Sequence, residues 1–442
     1  MYNEINKEEK LTKEERDILE RNLEIFFAAT VKSPDTKVFD IEDIENKEIF
    51  LEKFSPWHQK KGKGQELIQK FVDIVNNDQS TEDFSWLDIL NADERWKEFE
   101  DDKLKKEIKE NKNKYTNMRY QIPEHCHGDI DKAIIFHCME NPRGYVSDKL
   151  WGKKKESAPS LKDYYKKTAN NRNEKNRKGS VEEIIKERYK LEHRYKLEKI
   201  DFKFVKKVIF SEESALESDF NHMFNTFNKE DFEKTYSFSK ASSDLIEFYF
   251  FKNFYYQLIQ AEKLPNIKEL EGKREQFEKF SKQFCNLEIY PFSASYPYLK
   301  SEEIGGKFID NSDLSRLGIY IVLRRVYIYL INKKENEKEQ NPVFILRKYE
   351  KAWKQLFIKI LEEVEKEEKQ NGRSFEHAKV LSLLEKGFFY CQTGQQGGGI
   401  TDGNVISVPN FRTVGRKNSK EFKKTKLNDF NSIKSLLTKV EK

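Results

Sequence analysis

The segment HCHGDIDKAIIFHCMENPRGY, residues 125–145, concentrates side chains that bind metals or move protons. Imidazole and thiolate groups are preferred ligands of zinc. The segment ends in a turn that contains Glu140 and Asn141, whose carboxyl and amide groups can activate or position water. The sequence therefore offers a metal centre or a hydrolytic turn. The candidate metal ligands are His125, Cys126, His127, His137 and Cys138.

Strand geometry argues against the metal centre. DKAIIFHCM, residues 131–139, is a short apolar run bounded by turn residues, which is typical of a buried strand in a parallel sheet. If residues 132–138 form the strand, its ends lie roughly 20 Å apart at about 3.3 Å per residue, whereas zinc holds each ligand at about 2.3 Å. Alternation also sends His137 and Cys138 to opposite faces of the strand. We predict no metal, no cofactor and four reduced thiols: Cys126, Cys138, Cys285 and Cys391.

Three later segments have the same strand-like character. They are QFCNLEIYPFSASYPY, NPVFILRKYEKAWKQLF and KGFFYCQTGQQGGGITDGNV, and a helical pattern, DLSRLGIYIVLRRVYIYLI, lies between the first two. This alternation predicts an α/β fold with a mainly parallel central sheet flanked by helices. Ligands of such sheets bind at the carboxyl ends of the strands, so the residues that follow each apolar run carry the functional prediction.

Charge is unevenly distributed along the chain. The net charge is +5, yet residues 1–110 hold 19 basic and 29 acidic residues, which leaves −10 there and +15 on the remainder. A basic body favours a polyanionic partner such as nucleic acid. Residues 152–180 alone hold ten basic residues against three acidic ones and are rich in Asn and Ser, a composition typical of a linker.

A chain of 442 residues exceeds the usual size of one hydrophobic core, so a main domain with large additions is expected. Thr12 and Glu15 form a capping-box pattern that starts a helix. No apolar run approaches the roughly 18 residues of a membrane span, and the N-terminus lacks a signal-peptide pattern, so a cytoplasmic location is predicted. The expected regions are an acidic helical N-terminal region (1–120), an α/β core (121–150 and 281–410), a basic linker with a helical insertion (151–280) and a basic C-terminal tail (411–442).

The four strand-and-loop segments resemble motifs of the uracil-DNA glycosylase superfamily. AIIFHCMENPRGY is similar to its first motif, CNLEIYPFSAS to its second strand, VFILRKYEKAW to its third, and GFFYCQTGQQGGGITDGN to the strand that leads into the DNA-inserting loop. The similarity is greatest to a divergent glycosylase-like branch and covers about residues 120–150 and 280–410. In that family the Asn or Asp of the first turn handles the hydrolytic water, and an asparagine of the second strand reads the flipped base.

The resemblance implies an enzyme that flips a nucleobase of DNA and hydrolyses its N-glycosidic bond, leaving an abasic site. Two features depart from the family: the first motif lacks its leading glycine, and Gln392, Thr393 and Gly394 replace the final His-Pro-Ser. A substrate other than plain uracil is therefore expected, and a bulky modified base of phage DNA would be consistent with antiviral defence. Two alternatives stay open, a catalytically inactive module that binds nucleic acid or protein on the same fold, and a helical effector without the parallel sheet.

Hydrolysis of an N-glycosidic bond needs a carboxylate or amide near the sugar and donors near the leaving base. Glu140 and Asn141 are the predicted catalytic residues. Each prediction has a plain alternative, because Glu140 could pair with Arg143, Arg347 with Glu350, and the other side chains could serve in salt bridges or core packing. The predicted base-binding residues are Tyr145, Asn286, Glu288 and Arg347, and the predicted DNA-binding residues are Arg143, Lys153, Lys154, Lys155, Gln392, Thr393, Gly397 and Gly398.

Overall fold

The structure is a computed structural model, and its description of the chain has gaps. The described residues are 10–30, 41–77, 81–102, 105–106, 116–142, 160–168, 179–192, 199–226, 250–259, 272–293, 304–393, 399–415 and 419–438.

A mixed sheet forms the centre of the protein and confirms the α/β prediction. Its strand order is β3-β1-β4-β2-β5-β6-β7. The four strands predicted from the sequence, β2, β4, β5 and β6, form a continuous parallel group, so their carboxyl ends meet at one edge. The sequence did not predict β1, β3 and β7, and all three run antiparallel to this group, since β3 is parallel to β1. The strands are β1 (Cys126–His127), β2 (Ile135–Met139), β3 (Phe210–Ser211), β4 (Phe284–Glu288), β5 (Val343–Leu346), β6 (Phe389–Gln392) and β7 (Val405–Ser407).

One face of the sheet packs against most of the helices. Phe136 and Phe344 belong to this larger core together with residues of the N-terminal helices. The first helix begins with the predicted capping box, since the Glu15 amide donates to Thr12 Oγ1 and the Thr12 amide to the Glu15 carboxylate. The helices on this side are α1 (Lys13–Thr30), α2 (Glu42–Glu45), α3 (Lys47–Phe54), α4 (Lys63–Asn76), α5 (Glu94–Glu98), α6 (Thr116–Tyr120), α7 (Leu161–Thr168), α8 (Val181–Glu192) and α9 (Phe202–Ile209), with a 3-10 turn at Trp86–Ala92.

The opposite face is covered by the later part of the insertion, from Ala215 onwards, and by the end of the chain. Ile135, Phe284 and Ile345 face a second, smaller core built with aromatic residues of the insertion. The elements on this side are α10 (Ala215–Thr226), a π-helical turn (Phe251–Tyr255) and α11 (Arg274–Ser281). The later helices are α12 (Ile304–Asn311), α13 (Asp313–Glu335), α14 (Trp353–Gln370), α15 (His377–Gly387), α16 (Val408–Val414) and α17 (Lys420–Thr438).

Two regions that the sequence marked only by their basic composition contain helices. The tail expected over residues 411–442 includes α17, whose Phe430, Ile433 and Leu437 are buried against the sheet. The linker expected over residues 152–180 includes α7, where Tyr164 and Tyr165 are fully buried. In both, a sparse apolar stripe at helical spacing accompanies the basic residues.

None of the helices in the described ranges is both long enough and apolar enough to cross a membrane.

Candidate functional site

The parallel strands bring polar side chains together at their carboxyl edge. His137 of β2 is in register with Asn286 of β4, and Met139 of β2 with Glu288. Paired residues of neighbouring strands point to the same face of a sheet, so His137, Asn286 and Glu288 share the face covered by the insertion. All three are nearly inaccessible to solvent, at 0%, 4% and 6% exposure. Buried polar groups at the functional edge of a parallel sheet form a candidate site.

Glu140 and Arg347, predicted from different strand ends, form an ion pair. Arg347 Nε lies 3.0 Å from Glu140 Oε2, and both side chains are largely buried. The alternative prediction, an ion pair between Arg347 and Glu350, is wrong. Glu350 pairs instead with Lys354, four residues further along the chain, at 2.9 Å. The pair places the Glu140 carboxyl group beside the planar guanidinium of Arg347 at the carboxyl edge of β2 and β5.

Glu288 is a second carboxyl group in the same neighbourhood and has a different environment. Its Oε2 atom is buried without a hydrogen-bond partner among the described residues. Burial raises the pKa of Glu288 well above its ordinary value, the Arg347 charge opposes this rise, and the Glu140 charge adds to it. Burial therefore favours the neutral form of Glu288, in contrast to the paired carboxylate of Glu140.

A neutral buried Glu288 predicts a pH-dependent difference in stability for Glu288→Gln. Above pH 4.5 the unfolded chain ionises this group while the folded protein keeps it protonated. The wild type should therefore lose about 1.4 kcal/mol per pH unit relative to the variant, until the folded pKa is passed. Urea unfolding at pH 5, 6 and 7 would measure this difference. Glu278→Gln, which removes a surface partner of Arg274, is the control, and a pH-independent difference for Glu288→Gln would contradict the assignment.

A chain of hydrogen bonds links the strand residues to the insertion. Asn286 Nδ2 contacts the hydroxyl of Tyr255, which lies 3.2 Å from His137 Nδ1. His137 Nε2 lies 3.4 Å from Gln392 Oε1 at the end of β6. Burial lowers the pKa of His137 to about 3, and the Arg347 charge contributes, so this imidazole is neutral at pH 7. Asn286 Oδ1 has no hydrogen-bond partner among the described residues.

Gly399 and Ile400, which precede β7, pack against the insertion at this site. The Ile400 amide donates to the carbonyl of Phe254, whose ring meets His137 edge-on at 5.3 Å between centroids. Gly399 lies so close to the π-helical turn that a Cβ atom would fall 2.4 Å from the Asn253 carbonyl oxygen. This glycine is therefore required for the close approach of two backbones above the candidate site.

Gly399→Ala should loosen the covering of the site. Because the added Cβ meets backbone atoms, we expect a loss of about 1–3 kcal/mol of stability and faster amide exchange across Phe254 and Tyr255. Gly403→Ala is the matched control in the same loop, since a Cβ there meets nothing within 4 Å. Denaturant unfolding and hydrogen exchange of both variants test this, and equal behaviour of the two would contradict it.

Of the other predicted site residues, Asn141 and Thr393 lie within the described ranges and the rest do not. Asn141 is half-buried beside Glu140, and its Nδ2 donates to the Pro142 carbonyl. Thr393 follows Gln392, and its amide donates to the Asn404 carbonyl at 2.8 Å. Arg143, Tyr145, Lys153, Lys154, Lys155, Gly397 and Gly398 lie outside the described residues.

Strand alternation along NLEIY would place Asn286, Glu288 and Tyr290 on one face, and this grouping does not hold for Tyr290. The strand β4 ends at Glu288. Tyr290 turns into the larger core, where its ring packs on Phe308 and its hydroxyl contacts the Met118 sulfur. Alternation holds only inside a strand, so it does not extend past Glu288.

The histidines of the opening segment have separate partners. Trp57 Nε1 donates to His125 Nδ1 at 3.0 Å, and His127 Nε2 lies 2.7 Å from the Val208 carbonyl. Cys126 Sγ lies 3.7 Å from Cys285 Sγ, on the side of the sheet that carries the larger core. Within the described ranges, no group of three or more His, Cys, Asp or Glu residues could hold a metal ion.

A cavity of about 420 Å³ lies between α5, α12, α13 and α14. Its charged lining is largely paired within itself: Arg316 Nη2 lies 2.7 Å from Glu363 Oε1, and Arg95 Nη1 lies 3.3 Å from Glu363 Oε2. None of its lining residues belongs to the edge site.

Two residues of the site were missed by the sequence reasoning. His137 was considered only as a metal ligand, although its place two residues before the end of β2 put it on the face shared with Asn286. Tyr255 lies in the aromatic-rich stretch DLIEFYFFKNFYYQLIQ, a pattern typical of core packing. No local pattern separates a tyrosine whose hydroxyl contacts a strand from one that only packs.

The fold and the edge site define an α/β protein with a buried polar site at the carboxyl ends of its parallel strands. Comparison with protein-family models, curated proteins and solved structures found no match for the chain.

Proposed function

We propose that the protein is a DNA glycosylase-like hydrolase that cleaves the N-glycosidic bond of a flipped nucleobase. One observation carries the proposal: two carboxyl groups at the carboxyl edge have opposite environments. Glu140 is paired with Arg347, whereas Glu288 is buried with one oxygen unpartnered among the described residues. Carboxyl groups whose surroundings separate their pKa values are typical of acid–base pairs in glycoside hydrolysis.

The two groups have complementary tasks in this reaction. Cleavage of the bond between C1′ and the base nitrogen leaves positive charge on the sugar and negative charge on the base. The Glu140 carboxylate stabilises the sugar cation and accepts a proton from the water that forms the new C1′–O bond. Neutral Glu288 gives its proton to the leaving base. Exchange with solvent then returns both carboxyl groups to their starting states.

Neighbouring groups supply recognition of the base. Asn286 lies two residues before Glu288 on the same face and offers Oδ1 as an acceptor. Arg347 supplies donors next to Glu140. The charge of +15 on the chain after residue 110 favours a polyanion such as DNA over a free nucleoside.

The decisive experiment measures release of free bases. The full chain is incubated with genomic DNAs that carry normal or modified bases, phage DNAs included, and the small-molecule fraction is analysed by mass spectrometry. Abasic sites in the same samples are counted by alkaline cleavage. Release of one base with matching abasic sites supports the proposal. DNA binding without release would favour the inactive binding module, and neither binding nor release would overturn both.

A further inference from the structure

The hydroxyl of Tyr255 joins two strands at the centre of the edge site. Tyr255 belongs to the π-helical turn of the insertion, and its ring packs on Phe284 at 4.7 Å between centroids. Its oxygen contacts both Asn286 Nδ2 and His137 Nδ1. A residue outside the strands therefore determines how two strand side chains are presented.

The donors and acceptors of this chain have one consistent direction. An amide nitrogen can only donate, so Asn286 Nδ2 donates to the Tyr255 oxygen. The single hydroxyl proton of Tyr255 is then directed to His137 Nδ1, which accepts it as a neutral imidazole. The ring proton of His137 consequently sits on Nε2, which faces Gln392 Oε1. If the Asn286 amide, the Tyr255 hydroxyl or the His137 tautomer alone were reversed, two donors or two acceptors would face each other.

We propose that Tyr255 is a positioning residue that orients Asn286 so that only its Oδ1 atom faces a ligand, which restricts the ligand to a base edge with an N–H group at that point. The identity of the ligand as a base rests on the proposed function. The orientation of Asn286 is independent of the proposed function, because it follows from the contacts of Tyr255.

Selectivity follows from the buried state of Asn286 Oδ1. This oxygen is shielded from water and has no partner among the described residues, so a ligand without an N–H group leaves it unsatisfied. A base whose N–H is blocked by methylation should bind at least about 10-fold more weakly. Tyr255→Phe removes the partner of Asn286 Nδ2, the amide can then rotate to offer either end, and this discrimination should fall to about 3-fold or less.

The first test reads the orientation without any ligand. Nitrogen-15 NMR of the full chain with labelled histidine distinguishes the two neutral tautomers of His137. The proton is expected on Nε2, and the Tyr255→Phe variant should show a weaker preference, since only the 3.4 Å contact of Nε2 with Gln392 Oε1 then remains. Tyr256→Phe, which removes a neighbouring hydroxyl that contacts Gln257, is the matched control and should leave the tautomer unchanged. A proton on Nδ1 in the wild type would overturn the proposal, since the whole chain would then run in reverse.

The second test measures ligand selectivity. Short single-stranded DNAs carry one deoxyuridine or deoxycytidine, or the corresponding N3-methyl or N4,N4-dimethyl derivative. Weaker binding of the methylated forms to wild type and Tyr256→Phe, but not to Tyr255→Phe, supports the role of Tyr255. Equal binding of methylated and unmethylated forms to the wild type overturns it. Failure of every DNA to bind would count against the proposed function, and the tautomer measurement would still decide the orientation of Asn286.

Discussion

Glu140→Gln is expected to lower base release by about 10²–10³-fold while leaving the protein folded. Glutamine keeps the shape of the side chain and can still accept a hydrogen bond from Arg347, but it carries no charge. The variant can neither stabilise a sugar cation nor accept a proton from water. Single-turnover base release on whichever DNA the wild type cleaves would measure the effect, with the unfolding midpoint recorded alongside.

Glu350→Gln is the matched control for this prediction. Glu350 lies three residues after Arg347, but it pairs with Lys354 near the surface, so its removal changes the local charge equally without touching the edge site. Base release by this variant should stay within about 2-fold of the wild type. Equal losses in the two variants would show that net charge, and not the Glu140 carboxylate, supports the reaction.

The four parallel strands that position the site could be predicted from the sequence, because their apolar runs are local patterns. β2, β4, β5 and β6 are short apolar runs bounded by turn residues, and each was placed correctly. The carboxyl ends of β2 and β5 meet at one edge, where Glu140 and Arg347 lie 3.0 Å apart, although the sequence suggested other partners for both. Basic composition alone did not indicate the helix Lys420–Thr438.

The contacts that close the site depend on residues distant in the chain. Tyr255 reaches Asn286 across 31 positions, and His137 reaches Gln392 across 255. Hydrogen bonds of this kind follow from the packing of an insertion on a sheet, which no local period encodes. The two-residue strands β1 and β3 were missed for a related reason, since pairing with a neighbour defines them and two residues carry no alternation.

Gly128→Ala should destabilise the protein more than any other glycine substitution discussed above. Gly128 follows β1 in the segment HCHGD and has a φ of 131°, which residues with a Cβ rarely adopt. A Cβ atom here would lie 2.3 Å from the Phe284 carbonyl oxygen and 2.6 Å from Cys285 Cα. Both atoms belong to the backbone of β4, which cannot move without displacing Asn286 and Glu288. We expect a loss of roughly 2–6 kcal/mol, a large fraction of the total stability of a protein.

Gly372→Ala is the control that separates the two causes of this loss, backbone strain at a positive φ and the steric clash of the added Cβ atom. Gly372 also has a positive φ, 71°, but a Cβ there meets nothing within 4 Å, so only backbone strain of about 1–2 kcal/mol applies. Urea unfolding of both variants therefore measures the steric part at Gly128 as the difference between them. A steric part displaces β4, so Gly128→Ala should also disturb the His137 tautomer, whereas Gly372→Ala should not. Equal losses in the two variants would mean that β1 and β4 pack less closely than the structure has them, and that the edge site tolerates movement of the strand that carries Asn286.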